Sequence, residues 1–460
     1  MINIKKAATL IILLALVFSI CPAATAQEDE IRILINNQPL YTSTPPVVVD
    51  GRTLVPFRAI GEAMGCEVIW VAATQTANLK NETIIVSMQI GNRWGNSVKR
   101  AGDGKEKRFE LDVPPMLVNG TTYIPARAFA EALDAIVGWD SVTRTVIIMY
   151  DTTLNYTGNK TVSTFAGDGE RKNHDSNILA NMSFVSPESI DIADDGTIYV
   201  ADAGVIRRIK NGRSETIEMD PSYLTADTIR CYKNDVYILT NEFQNEQGVN
   251  YYGIVKLSGN SADGIFITEA AYSKIPDFTI SDDGTIYVLQ YNAGVNKNYI
   301  GRLNLNTQMV DTLVDVDAGI MTITTDNKGN LYLGNTVKGS IYRYNLNENR
   351  VTLFAGVDNS TKFVDGPNPF FFEPRKLKYA DGSLYVLDYN VIRKVSINSS
   401  DTVINCETLA GKITAEMNPK TIDGKASETM FAPSYLMDFM VNGNTIIITD
   451  PKWAVLREIV

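Results

Sequence analysis

The stretch that decides the fold is Asp194-Asp-Gly-Thr-Ile-Tyr-Val-Ala-Asp202, which continues after a short turn as Ile206-Arg-Arg-Ile209. It returns as Asp381-Gly-Ser-Leu-Tyr-Val-Leu-Asp388, followed by Ile392-Arg-Lys-Val395. Each copy has a turn with glycine, an apolar strand that carries tyrosine, a polar residue, and a second strand that carries basic residues. A repeated unit of this kind indicates a repeat fold, so its other copies have to be found first.

Four weaker copies bring the number of units to six. One residue in the apolar strand anchors each unit, and the anchors are Tyr199, Tyr237, Tyr287, Tyr332, Tyr385 and Ile447. Their spacings of 38, 50, 45, 53 and 62 residues suit four-stranded blades with loops of varying length. Residues 161–460 are therefore predicted to form an all-β, six-bladed propeller.

The propeller is predicted to close by combining its two ends. Blade six runs to the last residue and needs an outer strand. Thr161-Val-Ser-Thr-Phe165 precedes blade one and matches the strands that end other blades. Pairing this strand with blade six would remove an exposed sheet edge, which otherwise invites aggregation.

A second marker supports the repeat. Thr164-Phe-Ala-Gly167, Leu353-Phe-Ala-Gly356 and Thr408-Leu-Ala-Gly411 are each followed by a phenylalanine and, 18 to 22 residues after the glycine, by a proline. Together with the Tyr-Val-x-Asp and Ile-Arg-(Lys/Arg) patterns, this resembles the NHL repeat family of β-propellers over residues 161–460. The Asn-His-Leu-like signature of that family is missing, and only Asn390 falls near its place.

A different unit is duplicated near the N-terminus. Residues 47–64 return as residues 116–133, and Pro56 and Pro125 are separated by 69 positions. The dipeptides Asp50-Gly51 and Asn119-Gly120 favour hairpin turns because both accept positive φ.

A short helix is predicted to follow each proline of the duplicated unit, since proline is tolerated in a first helical turn. In the first copy the spacing places Ile60, Ala63 and Met64 on one apolar face. A second hairpin follows the helix, most clearly at 139–147.

The duplicated unit resembles the copper amine oxidase N-terminal-like domain, a module that recurs in exported proteins of Gram-positive bacteria. The pattern Val-(Asp/Asn)-Gly-x-Thr, then Pro-x-Arg, then Glu-Ala-(Met/Leu), carries the resemblance over about 31–150. The catalytic domain of the oxidases has three copper-binding histidines and a tyrosine that becomes the cofactor. This chain has one histidine, His174, and Thr157 follows Tyr156 where that motif needs an acidic residue. Copper amine oxidase activity is therefore not expected.

Residues 1–26 are predicted to be a cleaved signal peptide. Lys5 and Lys6 precede the apolar stretch 7–20, and Ala24-Thr-Ala26 is a suitable cleavage site. Ile20 before Cys21 disfavours a lipoprotein, and no later stretch is long enough to span a membrane. The remaining boundaries are 27–150 for the tandem-repeat α/β domain, 151–160 for a polar linker and 161–460 for the propeller. The mature protein is expected to be secreted, either extracellular or associated with the cell wall.

Cleavage would remove two lysines and no acidic residue, which takes the net charge from −11 to −13. This balance argues against a nucleic-acid partner, which needs clustered positive charge. The three remaining cysteines, Cys66, Cys231 and Cys406, do not form a disulfide framework. They are interpreted as small buried residues, and one disulfide among them stays open.

Several candidate site residues have competing interpretations. The residues three after each anchor form a polar series that could hold a cation or a sugar: Asp202, Thr240, Gln290, Asn335, Asp388 and Asp450. We favour the alternative that each side chain bonds backbone N–H groups in its own blade turn. His174 is interpreted as exposed and inert, and the cluster 370–372, three phenylalanines, as packing between blades rather than as a binding platform.

Three functions are compatible with these features. The leading hypothesis is a non-catalytic binding or scaffold protein, whose ligand is a protein or a cell-wall glycan held by the long connections 241–252, 292–299 and 358–372. The alternative is a propeller hydrolase or lyase that uses calcium, bound by Asp, Asn or Glu oxygens, and acts on sugars, lactones or peptides. A third is a structural spacer that associates through its N-terminal repeats. No catalytic or metal-binding residue is assigned, and calcium is the one cofactor that stays open.

Overall fold

A computed structural model describes most of the chain. The described residues are 31–35, 38–82, 84–100, 106–133, 135–140, 144–150, 152–217, 226–244, 250–259, 261–269, 273–292, 294–360, 362–414, 419 and 423–460. The predicted signal peptide, 1–26, lies outside these residues. The chain forms two compact units, one containing Pro39–Phe129 and the other containing Ile147–Val460, with short neighbouring segments divided between them.

The elements up to residue 150 include both copies of the duplicated unit. In chain order they are β1 (Arg32–Ile35), β2 (Gln38–Pro39), β3 (Val47–Val49), β4 (Arg52–Pro56), α1 (Phe57–Ala63), β5 (Glu67–Val71), β6 (Thr76–Lys80), β7 (Ile84–Gln89), β8 (Trp94–Lys99), β9 (Glu106–Glu110), β10 (Met116–Val118), β11 (Thr121–Pro125), α2 (Ala126–Ala132), β12 (Ile136–Asp140) and β13 (Thr145–Met149).

The two copies of the unit pair with each other through their proline-ending strands. β4 and β11 run antiparallel with Val55 opposite Ile124, in a sheet of order β10-β11-β4-β3. Both hairpin turns adopt the positive φ that their Asp-Gly and Asn-Gly sequences predicted. Both helices begin directly after their prolines, as predicted. Strands β5 to β9 form a separate five-stranded sheet in chain order.

The buried face of α1 differs from the predicted one. Phe57, Ile60, Gly61 and Met64 are buried, whereas Ala63 is exposed. Gly61 takes the place of Ala63 on this face because an added Cβ there would come within 2.3 Å of the Leu79 side chain. The helix therefore approaches β6 so closely that only glycine fits without displacing that leucine.

The second unit consists almost entirely of strands. In chain order they are β14 (Thr152–Thr153), β15 (Thr161–Ala166), β16 (Pro187–Ile192), β17 (Ile198–Asp202), β18 (Val205–Lys210), β19 (Arg213–Ile217), β20 (Thr228–Tyr232), β21 (Asp235–Gln244), β22 (Asn250–Ser258), β23 (Ser261–Glu269), β24 (Ser273–Ile280), β25 (Ile286–Asn292), β26 (Lys297–Asn304), β27 (Met309–Val316), β28 (Ile320–Thr325), β29 (Asn330–Asn335), β30 (Ser340–Asn345), β31 (Arg350–Gly356), β32 (Phe363–Val364), β33 (Pro374–Ala380), β34 (Ser383–Asp388), β35 (Val391–Ile397), β36 (Val403–Ala410), β37 (Gly424–Lys425), β38 (Phe439–Asn442), β39 (Thr445–Asp450) and β40 (Val455–Ile459). A short 3-10 helix, Leu179–Asn181, lies between β15 and β16.

Among the described residues, six antiparallel sheets belong to a β-propeller. Five have four strands in chain order, β16–β19, β20–β23, β24–β27, β28–β31 and β33–β36, and we number these sheets as blades one to five. The first strands of successive blades contact one another, and β38 of the sixth sheet contacts β16 of the first, so the ring is closed. The all-β propeller expected from the repeat is the fold of this unit.

Blade six combines the two ends of the propeller sequence, as predicted. Its order is β37-β15-β40-β39-β38, and Val162 of β15 lies opposite Ile459 of β40. Neighbouring blades enclose apolar cores, such as the one that contains Leu387, Phe431 and Ile448. This packing on both faces explains why the strands are continuous apolar runs.

The described part of the predicted linker, 152–160, is bound to the propeller. β14 pairs in parallel with β32, and Asn155 N donates to Asp365 Oδ2 at 2.7 Å. The Tyr156 hydroxyl donates to the Gly411 carbonyl at 2.6 Å. The polar composition that suggested a linker therefore belongs to a segment that is held by hydrogen bonds.

Cys66 and Cys406 are buried and Cys231 is half-buried. These three cysteines, the ones that the structure describes, are all free thiols. Burial is the main cause that raises the pKa of the Cys66 thiol. A buried thiol of this kind behaves as a small apolar side chain.

Candidate functional site: the loop end of the propeller

The connections of the propeller fall into two groups because successive strands of each sheet are antiparallel. One end, which we name the loop end, holds the turns between the second and third strands of each blade. It also holds the connections from the fourth strand of one blade to the first strand of the next. The other turns lie at the opposite end, the turn end. The long connections 241–252, 292–299 and 358–372 all belong to the loop end. Residues 245–249, 293 and 361 of these connections lie outside the described residues.

The two ends differ in chemistry. At the turn end, short polar turns hydrogen-bond between neighbouring blades: Asp195 N donates to Asn234 Oδ1, and Asp282 N to Asn327 Oδ1, both at 3.1 Å. The loop end instead exposes large apolar side chains, namely Ile178, Val295, Met321, Val337, Tyr435, Leu436 and Trp453. At the turn end Leu305 and Met309 are exposed. A ligand that needs an apolar contact therefore has more surface at the loop end.

A buried arginine organises the loop end of blade one. Arg207 Nη1 lies 3.1 Å from Asp202 Oδ2, and its Nη2 lies 2.8 Å from Asp175 Oδ1 in the connection before the blade. Asp175 Oδ2 in turn accepts from Thr216 N of β19 at 2.7 Å. Arg207 and Asp202 are fully buried, so this arrangement, which we name the arginine clamp, binds the connection to the third and fourth strands.

Blade five repeats the arginine clamp residue by residue. Arg393 Nη1 lies 2.9 Å from Asp388 Oδ2, and its Nη2 lies 2.8 Å from Asp365 Oδ1. Thr408 Oγ1 donates to Asp365 Oδ2 at 2.7 Å. The repeated Ile-Arg sequence signals these arginines, but the pairing of each with an aspartate about thirty residues earlier follows only from the fold.

Three members of the polar series accept hydrogen bonds from backbone N–H groups and so have a structural role. Asp202 Oδ1 accepts from Val185 N and Ser186 N at 2.9 and 2.6 Å. Asp388 Oδ1 accepts from Phe372 N and Glu373 N at 3.0 and 2.8 Å. Asn335 Oδ1 accepts from Val337 N and Lys338 N at 3.1 and 2.9 Å. The two aspartates differ from the expectation in one respect, because their donors lie in the preceding connection rather than in their own turns.

The other three members have less complete hydrogen bonding. Among the described residues, one N–H group donates to Asp450 Oδ1, that of Trp453 at 3.3 Å, and Arg457 Nη2 pairs instead with Asp423 Oδ1 at 2.7 Å. Burial raises the pKa of Asp450 to about 6. Within the described part of the chain, buried oxygens of Asp450, Thr240 and Gln290 have no hydrogen-bond partner. The series is therefore neither one ligand-binding ring nor one uniform cap.

The channel between the first strands is filled by an ionic network. Arg230 Nη2 lies 2.7 Å from Asp277 Oδ1, and its Nη1 lies 3.6 Å from Asp438 Oδ2. Ser189 Oγ donates to Asp438 at 2.7 Å, and Thr322 Oγ1 donates to Asp277 at 2.8 Å. These five buried residues come from five blades, so the network joins the first strands across the channel.

Positive charge compensates for the burial of Asp438. Burial by itself would raise its pKa, but Lys378, Lys376 and Arg230 lower the pKa to about 2. The carboxylate is therefore ionised at neutral pH. Asp438 and Asp277 each accept a hydrogen bond from a hydroxyl group and lie beside Arg230. These contacts favour a structural role for both carboxylates in the channel.

At the loop end of the channel an exposed aromatic residue lies over a buried ion pair. Arg375 Nε donates to Glu373 Oε2 at 2.8 Å, and both residues are buried. The Arg375 guanidinium carbon lies 4.6 Å from the ring centroid of Tyr389 and 4.0 Å from that of Tyr435. Tyr435 is 68% exposed and Leu436 is 51% exposed. We name Glu373, Arg375, Tyr435 and Leu436 the mouth site.

The mouth site can provide both stacking and hydrogen bonding. The guanidinium on the tyrosine ring fixes the aromatic side chain by a cation–π contact, which limits the entropy lost on binding. Exposed tyrosine with an adjacent ion pair is a common composition for recognising glycans, peptides or other polar ligands. The sequence carries no signal for this site, because its residues belong to no repeated pattern. Glu373 and Tyr435 come from two different connections, and Arg375 lies in β33.

The structure places the remaining candidates as follows. His174 is exposed, and its backbone carbonyl accepts from Arg207 Nη2 at 2.9 Å. Phe371 and Phe372 are buried, as the packing interpretation predicted, whereas Phe370 is partly exposed and lines a surface groove. Burial, with a smaller effect of Asp365, raises the pKa of Tyr156 to about 12, so this hydroxyl stays protonated.

Among the described residues, no three His, Cys, Asp or Glu side chains come together in a way that could hold a metal ion. None of the described helices has the length and hydropathy of a membrane span.

The fold defines a β-propeller in a chain that also carries an α/β tandem repeat. Residues 34–148 match the copper amine oxidase N-terminal domain family, which confirms the resemblance of the tandem repeat. That match covers a quarter of the chain and does not extend to the propeller. No curated protein matches the chain.

Solved structures from Bacteroides thetaiotaomicron share the overall fold. A protein of unknown function has 17% sequence identity and a TM-score of 0.51, covering 86% of this chain and 98% of its own. A protein described as an auxiliary nutrient binding protein has 16% identity and a TM-score of 0.50, covering 84% of this chain and 93% of its own. At these identities the similarity concerns the fold alone.

Proposed function

We propose that this chain is a secreted, non-catalytic binding protein that holds a protein or a cell-wall glycan at the loop end of its propeller. The observation that carries the proposal is the mouth site, where exposed Tyr435 and Leu436 lie beside the buried Arg375–Glu373 pair. The opposite end consists of short polar turns that bond to one another. Loops on a rigid frame are where binding residues usually lie.

Other features support an extracellular binding role. We propose that residues 1–26 direct export, that 27–150 form the tandem-repeat domain and that 161–460 form a six-bladed propeller. The description of one similarly folded protein as nutrient binding agrees with a binding role. We further propose that the chain lacks copper amine oxidase activity and binds no nucleic acid, because it has one histidine and a net charge of −11.

The calcium-dependent hydrolase or lyase has less support. Such an enzyme would use free oxygen ligands that converge near the channel. The buried carboxylates of Asp277 and Asp438 instead accept hydrogen bonds from Thr322 and Ser189, and both lie beside Arg230. These contacts are typical of a structural network, so the binding role is the better supported proposal.

Affinity capture with paired variants tests the proposal. The mature protein, Tyr435→Ala/Leu436→Ser and the turn-end control Leu305→Ser would be immobilised and exposed to culture supernatant and purified cell walls. We expect the mature protein and the control to retain the same ligand and the mouth variant to lose it. Thermal melting checks that all three proteins fold. Equal retention by the mouth variant would place binding elsewhere, and turnover of the captured ligand would favour the enzyme.

A further inference from the structure

The outer strands of three blades are covered by extended segments of the same chain. In blade one, Ser214 N of β19 donates to the Ser176 carbonyl at 2.9 Å. In blade five, Cys406 of β36 exchanges backbone hydrogen bonds with Gly366. In blade six, β37 pairs with β15 as a fifth strand. Each covering segment belongs to the connection that precedes the blade. The arginine clamp holds this connection in blades one and five, and the pair Arg457–Asp423 holds it in blade six.

Blade four lacks the residues that would hold such a segment. In blades one and five the arginine of the third strand lies opposite a threonine of the fourth strand, Thr216 or Thr408. In blade four Tyr342 lies opposite Leu353 instead. The connection before this blade is also short, since β28 begins at Ile320, shortly after β27 ends at Val316. No part of this connection can therefore reach along the outer strand β31.

The outer strand of blade four borders a groove of about 440 Å³. Residues 353–357 of this strand line one side, and residues 367–370 and 401–403 of blade five line the other. Leu353 is 50% exposed and Val357 is 48% exposed. The second wall contributes Pro367, Pro369 and the partly exposed Phe370. The groove therefore combines apolar side chains with polar ones, such as Arg343 and Asp401, and it has an edge strand along one side.

An arginine gives the groove a positive charge. Arg343 lines the groove, and its Nη1 donates to the Asp401 carbonyl at 3.2 Å. A guanidinium group has five N–H donors and no acceptor, so its exposed part favours a ligand that brings carbonyl oxygens.

We propose that this groove binds an extended polypeptide from a partner protein, which adds to blade four as a fifth strand. The outer strand offers alternate backbone N–H and C=O groups, which an extended peptide satisfies and a sugar chain does not. Apolar side chains of the peptide contact Leu353, Val357 and Phe370, and a peptide carbonyl accepts from the Arg343 guanidinium. The partner thus takes in blade four the place that β37 takes in blade six. This site is separate from the mouth site.

A displayed library of random linear peptides provides the probe. The mature protein would be used for selection, and individual peptides would then be measured against Leu353→Lys and the matched control Ile404→Lys. Ile404 is about as exposed as Leu353, but it lies on β36, and the outer edge of β36 is already paired with Gly366. We expect Leu353→Lys to weaken binding about tenfold, or ~1.4 kcal/mol, and Ile404→Lys to leave it unchanged.

Amide hydrogen exchange locates the bound peptide. We expect the selected peptide to slow exchange in residues 350–357 and to leave the corresponding strand of blade five, 403–410, unchanged. The proposal would be overturned if selection gave no binding peptide, if both lysine variants bound it equally, or if exchange slowed elsewhere. Protection of 350–357 by purified glycan strands in place of peptides would also overturn it.

Discussion

At the scale of single residues, the same carboxylate position has different partners in different blades. Burial raises the pKa of Asp202, but two backbone N–H groups and fully buried Arg207 oppose this effect and favour the charged form. Asp450 is as deeply buried but accepts one N–H group, and Arg457 pairs with Asp423 instead. A buried charge is tolerated only when its partners replace the water that it loses.

This difference predicts unequal effects of Asp→Asn substitutions. Asp202→Asn leaves Arg207 with Asp175 as its remaining carboxylate partner and is expected to destabilise the protein by about 1.5–3 kcal/mol. Asp450→Asn removes a charge with few partners and is expected to cost far less, or to stabilise. Chemical denaturation of both variants at pH 7 measures the contrast, and equal losses for the two would contradict it.

Asp450 also predicts a dependence of stability on pH. Its folded-state pKa is raised to about 6, so between roughly pH 4 and pH 6 the folded form holds the proton more tightly than the unfolded form does. The contribution of this group to stability therefore falls as the pH rises through that window and is constant above it. We expect the melting temperature of Asp450→Asn, relative to the parent, to rise between pH 4 and pH 7. A difference independent of pH would show that Asp450 does not titrate in this range.

At the scale of elements, the propeller depends on segments that come from outside its regular blades. β15 lies before blade one in the chain but pairs with the last strand, β40. The segment 152–156 pairs with the connection before blade five. Neither segment could fold alone, because its partners lie more than two hundred residues away, and joining them closes sheet edges that would otherwise be exposed.

The closing strand is expected to be essential for stability. Deleting 161–166 should reduce solubility and melting temperature because it removes the partner of β40. A point variant gives a sharper comparison: Val162→Asp places a charge at a buried position, whereas Thr161→Asp places it at an exposed one. We expect Val162→Asp alone to lower the melting temperature. If the deletion variant were as soluble and stable as the parent, the closure would be dispensable.

The segment before the propeller predicts a smaller effect. Tyr156→Phe removes the hydroxyl that donates to the Gly411 carbonyl at 2.6 Å and should destabilise the protein by about 1 kcal/mol. Limited proteolysis should then cut faster between 150 and 160. Tyr41→Phe is the matched control, because Tyr41 is 91% exposed. Unchanged cleavage in Tyr156→Phe would mean that the hydrogen bond does not hold the segment.

At the scale of the whole molecule, we do not expect the resemblance to a domain of copper amine oxidases to bring the chemistry of those enzymes. Three imidazoles are needed to hold the copper, and the chain has one histidine, which is exposed in the connection before blade one. We expect the mature protein to retain no stoichiometric copper after loading and dialysis, and to release no peroxide from primary amines. A quinone absorption band after copper loading would contradict this.

A second prediction for the whole molecule concerns its export. The mature protein should begin at Gln27, because Ala24-Thr-Ala26 is the cleavage site expected from the sequence. Intact mass and N-terminal sequencing of protein from culture medium and from the cell wall measure this. An intact or lipid-modified N-terminus would show that the chain is retained at the membrane.

The repeats made most of the architecture predictable. Asp50-Gly51, Pro56 and their copies predicted hairpins and helices where the structure has them, because local backbone preferences determine such elements. The prediction of the buried face of α1 was partly wrong, because spacing alone does not reveal that a glycine, here Gly61, makes the contact. Asp202 and Asp388 were predicted to bond backbone N–H groups and do so, but the donors lie in connections that no repeat defines.

The sequence by itself therefore determined the fold class, the closure of the ring by Thr161–Ala166, and the capping role of several polar residues. These properties depend on local or periodic residue patterns, and the same patterns recur in every repeat. Only the tertiary structure decided which charges meet: Arg207 with Asp175, Arg230 with Asp277 and Asp438, and Tyr435 with Arg375. The physical reason is that these partners come from different connections and blades. They become neighbours only in the completed ring, so no periodic pattern in the sequence marks them.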